Sequence, residues 1–174
     1  MSQLTALSVS IAVLGGVWAF LALGPLSGLV LVWAGFIAWG CYFHTGGDTA
    51  ALKKTIAGNI YGALVALIAL NIIVNVSMPA LGTLWPALVV GVTVFFLVIV
   101  AGCELLSAVP ANVYGYAATV AYSLQTPSPE NMGPMHSLMS VSMANPFVML
   151  SVSMVIGAIF GMISGKVAGA LTKK

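Results

Sequence analysis

Long apolar runs separated by short polar or Gly-Pro breaks dominate the chain. Runs at about 5–23, 26–43, 55–76, 83–103, 106–124 and 146–166 each approach the ~20 residues a helix needs to cross a ~30 Å hydrocarbon core at ~1.5 Å per residue. The breaks are Gly24-Pro25, the His44–Lys54 loop, Ser77-Met78-Pro79, a tight link at Glu104 and a long polar stretch from Gln125 to Asn145. This pattern predicts an all-α integral membrane protein with six transmembrane helices in one domain, 1–174. The fifth run is the weakest, because Pro110, Asn112 and several small residues interrupt it. The first run has no basic residue before Leu4 and continues past any cleavage site, so it reads as a retained span, not a signal peptide. The sixth helix should begin at Asn145-Pro146, since Asn is a good N-cap and Pro suits the first helical position.

The runs also repeat. A shift of 77 residues lays WAGFIAWGCYF (33–43) over PANVYGYAATV (110–120), with small residues, an aromatic at Trp39 and Tyr116, then a polar break. A shift of 95 lays IYGALVALIAL (60–70) over VIGAIFGMISG (155–165), so that Gly62 falls on Gly157 and Ala66 on Gly161. The 18-residue difference marks an insertion in the 125–145 loop, where Pro127, Pro129, Gly133 and Pro134 signal irregular structure. The repeats run from about 5–76 and about 83–168. Three spans in each force the second copy to be inverted, an arrangement found in transporters with the solute site near the midplane. Gly58 and Gly62 in the third run, and Gly157, Gly161 and Gly165 in the sixth, have the small-xxx-small spacing that lets helix backbones approach closely.

Composition fixes the solvent. Of the 174 residues, 61% are hydrophobic and 5% charged, against ~25% charged in a soluble domain, so the lipid bilayer is the surrounding medium. The net charge of +2 is too small for nucleic-acid binding. With six spans, Lys53, Lys54, Lys166, Lys173 and Lys174 fall on one side, which the positive-inside rule makes cytoplasmic, together with both termini. Cys41 and Cys103 lie in apolar runs and read as buried small hydrophobes.

Enzyme chemistry is poorly supplied. The three carboxylates, Asp48, Glu104 and Glu130, fall at loops, with Glu130 on the opposite side from the other two. His44 and His136 are likewise separated, so no metal site, phosphate loop or Ser-His pair emerges, and the chain is expected to be neither an enzyme nor dependent on a cofactor. What remains are polar groups and rings within the spans. A buried amide costs a few kcal/mol unless hydrogen-bonded, and an interhelical hydrogen bond would explain any one Asn; Asn112, in the interrupted run and the repeat motif, and then Asn59, beside the glycine face, are the leading pore candidates. Trp33, Phe36, Trp39, Phe43 and Tyr116 are candidates for an aromatic constriction, although core packing and an interfacial belt would also explain rings here. His44 is either interfacial or a group that titrates near neutral pH and gates the cytoplasmic side.

The segment GGVWAFLALGPLSGLVLVWAGFIAWGCYFHTGG (15–47) resembles the opening of the YcdZ-like family, bacterial inner-membrane proteins of unknown function. Gly16-Val17-Trp18, Trp33-Ala34-Gly35-Phe36, Tyr42-Phe43 and Gly46-Gly47 stand at the motif positions. Val109-Pro110-Ala111-Asn112-Val113-Tyr114-Gly115 is similar to the family's second-half motif, with Ala-Asn in place of Gly-Thr. The resemblance covers most of 10–170 and implies an inner-membrane location and a shared fold, but no substrate or site residues.

These features favour a channel or facilitator, a homo-oligomer, that passes a small, mostly uncharged solute of urea, amide or weak-acid size at the repeat interface. Missing intramembrane charge argues against ion pumping. The competing expectation is a non-transporting scaffold, assembly factor or partner subunit, for which the glycine-rich sixth run would serve association.

Overall fold

The computed structural model describes residues 1–124 and 133–172. Among these the chain is all-helical, with no strand and six α-helices. The first, α1 (Gln3–Leu23), starts at Ser2, whose hydroxyl accepts the Thr5 N–H at 3.2 Å, and stops at Gly24. Turns carry the chain to α2 (Val32–His44), which ends in a Thr45-Gly46-Gly47 loop. Gly46 and Gly47 have φ of +128° and +70° there, a region that favours glycine. The Asp48 carboxylate accepts the Ala51 N–H at 2.7 Å and so caps α3 (Thr49–Asn75). After a short 3-10 turn, Pro79–Leu81, come α4 (Leu84–Ile99), two further 3-10 turns at Val100–Gly102 and Glu104–Leu106, and α5 (Val109–Leu124). A 3-10 turn at Gly133–Ser137 precedes α6 (Pro146–Leu171). Asn145 caps α6, its side-chain oxygen accepting the Phe147 N–H at 2.9 Å.

Four helices are long and apolar enough to cross a membrane unaided: α1, α3, α4 with its 3-10 extension, and α6. The other two are short. At ~1.5 Å per residue, the 13 residues of α2 and 16 of α5 cover only ~20 and ~24 Å. The run expected to be helical over 26–43 begins its helix only at Val32. Gly24, Pro25 and Gly28 (φ +78°) turn the backbone before it, which an apolar side-chain pattern does not register. At the fifth run, where the sequence leaves open whether Pro110–Asn112 breaks the helix, the segment is a helix start. Pro110 occupies the first turn of α5, where its missing N–H has no intrahelical partner to lose, so Asn112 lies in an unbroken helix. Cys103 also differs from expectation. The two 3-10 turns leave it exposed, whereas Cys41 is buried, and both are free thiols.

α3 packs chiefly against α5 and α2 against α6, while α3 and α6 also meet each other. α1 leans on α6 and α4 on α3, and these two outer helices are the least buried of the four long ones. Leu88, Val92, Phe95, Phe96 and Ile99 on α4 are exposed. So large an apolar face requires lipid, not water, as its neighbour. Gln3, Asp48 and Lys166 line one cleft, and His44, Lys54 and Ser107 line another. The starts of α1, α3 and α5 and the ends of α2 and α6 therefore share one end of the molecule. Glu130, Lys173 and Lys174, with most of the proline-marked part of the long loop, lie outside the described residues.

Candidate functional site

Two close crossings organise the interior. At the first, a Cβ on Gly157 of α6 would overlap the backbone of Gly35 on α2. At the second, a Cβ on Gly62 of α3 would overlap the Asn112 carbonyl, and one on Gly115 of α5 would overlap the Asn59 carbonyl. Gly58 supports the second crossing, since a Cβ there would come 2.7 Å from Asn112 Oδ1. Gly161 faces Tyr42 and Trp39, and Gly165 makes ordinary contact with Phe43.

Aromatic rings fill the α2–α6 crossing. Trp18 from α1 covers Gly35 and donates its indole N–H to Val32 O at 2.9 Å. Trp39 donates to Ser164 Oγ at 3.0 Å, and that hydroxyl donates to Gly161 O at 2.8 Å. Phe160 sits between the two indoles at ring separations of 5.6 and 5.8 Å. Phe36 stacks on Trp39 at 5.7 Å and is 42% exposed at the surface. Trp33 is half-buried against the Ala34, Leu150 and Met154 cluster. The first turn of α2 is tied down by the Leu31 N–H donating to Ser153 Oγ at 2.9 Å.

Amides and hydroxyls occupy the α3–α5 crossing. Asn112 donates to Leu97 O at 3.2 Å and Leu106 O at 3.1 Å, clamping the end of α4 and the link that follows. Its Oδ1 is buried without a partner. Asn59, 1% exposed, has no partner for either amide atom, and neither has the Thr55 hydroxyl one turn earlier. Tyr116 is satisfied by Thr93 Oγ1 at 3.1 Å. Each buried polar group left unpaired costs about 1–3 kcal/mol, so unmet hydrogen-bonding demand concentrates at this crossing, with Ser151 Oγ the unpaired group on α6 among the described residues.

The family described as "Protein of unknown function (DUF1097)" matches residues 8–169, which take in both crossings. The chain belongs to this family. No curated protein and no solved structure matches it.

Two clefts open at the lysine-bearing end of this family member. One, about 710 Å³, is lined by Tyr42, Phe43, Asp48, Gly165 and Lys166 among others. The second, about 270 Å³, is formed by His44, Thr45, Lys54, Ser107, Ala108 and Pro110. The eight candidates from the sequence thus separate into three places. Trp33, Phe36 and Trp39 belong to the aromatic crossing, Asn59, Asn112 and Tyr116 to the amide crossing, and Phe43 and His44 to the two clefts. Sequence reasoning missed Thr55, Ser153 and Ser164. Lone hydroxyls in apolar runs carry no signal of their own, and only the four-residue step from Thr55 to Asn59 marks a shared helix face.

Proposed function

We propose that the protein facilitates passage of a small, mostly uncharged solute across the bacterial inner membrane, as a non-enzymatic pair of inverted three-helix repeats crossing six times. The observation that carries this reading is an exchange relation. Replacing α1, α2 and α3 by α4, α5 and α6 leaves the pattern of helix contacts unchanged: α3 with α5 becomes α6 with α2, and α1 with α6 becomes α4 with α3. The sequence shifts agree. α2 and α5 begin at Val32 and Val109, 77 residues apart. Gly62 against Asn112 becomes Gly157 against Gly35 under the 95- and 77-residue shifts. Inverted repeats of this kind bind solutes near the membrane midplane.

Further features fit the same reading. No charged side chain is buried among the described residues, which suits a neutral solute better than an ion. Lys53, Lys54 and Lys166 at one end favour a cytoplasmic location for that end and for both termini. The likeness to YcdZ-like proteins supports the inner membrane, and the lipid-facing α1 and α4 leave room for homo-oligomers. The exposed Phe95 and Phe96 of α4 are what a scaffold reading would use as a partner surface.

Purified protein in liposomes, mixed rapidly with urea, acetamide, glycerol or a weak acid, tests the proposal by light scattering. At least one solute should cross faster than through empty liposomes. Equal rates for all of them, with a stoichiometric partner on purification, would favour the scaffold.

A further inference from the structure

Resting on that facilitator reading, we infer that Asn59, Thr55 and the Asn112 side-chain oxygen form a closed recognition site for a small planar amide, of the urea or acetamide type. The site is reached from the cleft between His44, Lys54 and Ser107.

The site is assigned by its unmet hydrogen bonds. Asn59 leaves two N–H donors and one carbonyl acceptor unpaired, Asn112 leaves an acceptor and Thr55 a hydroxyl, all buried. Thr55 and Asn59 lie one turn apart on one face of α3, and Asn112 Oδ1 rests against α3 at the neighbouring Gly58. Such a set matches a ligand that both donates and accepts. A primary amide does so through one planar edge and can form the paired N–H···O=C bonds that an Asn side chain presents. A carboxylate only accepts, so it would leave the oxygens of Asn59 and Asn112 unmatched.

A polar path leads inward to this group. Thr45 lines the smaller cleft. Its hydroxyl lies 3.9 Å from the Cys41 thiol, and that thiol is also near Thr55, though Thr55 Oγ1 makes no hydrogen bond of ordinary geometry. Asn59 follows one turn deeper. Cys41 thus lies between the cleft-lining Thr45 and Thr55.

The test is solute flux into proteoliposomes of the full chain. Wild-type protein should pass urea and acetamide well above empty liposomes and pass acetate no faster than they do. Loss of one to two of the site's hydrogen bonds predicts that Asn59→Leu lowers amide flux about 10- to 100-fold. Thr55→Val, which keeps the side chain's shape, should lower it by about 10-fold and guards against a folding defect in the Asn59 variant. Amide flux unchanged in both variants would overturn the inference, as would glycerol, acetate or water crossing the wild type while amides do not. In those last cases the facilitator reading stands and the amide site fails. If no solute crosses, the facilitator reading falls and the inference with it.

Discussion

At the α2–α6 crossing Gly35 meets Gly157 beneath the Trp18 indole, whereas at the α3–α5 crossing Gly62 meets Asn112 among amides. Both use glycine to bring two backbones together, which in lipid substitutes for the missing hydrophobic drive. Their side chains then diverge. Trp18 and Trp39 each bury a large ring and place the single N–H on an acceptor, so the first crossing is sealed and satisfied. Asn59 and Thr55 bury polar atoms that make no hydrogen bond of ordinary geometry. The difference teaches that the same glycine packing can close over satisfied rings at one crossing and over unpaired polar groups at the other.

The largest effect should come from the shared feature. Gly157→Val and Gly62→Val each force a side chain into a facing backbone, with a cost of about 3 kcal/mol or more; loss of a monodisperse peak in detergent would register it. If either variant behaves like wild type, the close crossing is not what holds that half together. Asn112→Leu comes next. It strips the clamp on Leu97 O and Leu106 O at about 2 kcal/mol, read as a lowered unfolding midpoint.

Smaller changes sharpen the contrast. Thr93→Val removes one bond to Tyr116 and should cost about 0.6 kcal/mol, the usual size of an interhelical hydrogen bond in membranes. A thermal shift beyond what that allows would mean that Tyr116 is doing more than packing. Gly169→Ala is the opposite control. A Cβ there meets nothing within 4 Å, so gaining helix propensity should stabilise by at most about 1 kcal/mol.

Much of the fold was legible in the residues. Continuous apolar runs implied an all-helical membrane protein, and Asn145-Pro146 marks the start of α6. Hydropathy, however, counts side chains and not backbone dihedrals. Residues 26–31 read as the first part of a span although Pro25 and Gly28 turn the chain there. Whether Pro110 breaks a helix or starts one stayed open, because a helix start preceded by apolar residues looks the same as an interruption. Cys103 read as buried because the 3-10 turns beside it are apolar too. For the site, Asn59 and Asn112 stood out as amides in apolar runs, but their hydrogen-bonding state depends on partners from other helices. Leu97 O, which satisfies half of Asn112, is a backbone group with no identity in the sequence.

The most direct test is amide flux through proteoliposomes of two variants compared side by side, Asn59→Leu in the amide crossing and Trp39→Phe in the aromatic one. Asn59→Leu should lose most of the wild-type flux while Trp39→Phe, which gives up the bond to Ser164 and part of the buried ring packing, keeps it. Equal loss in both variants, or loss in Trp39→Phe alone, would contradict the account.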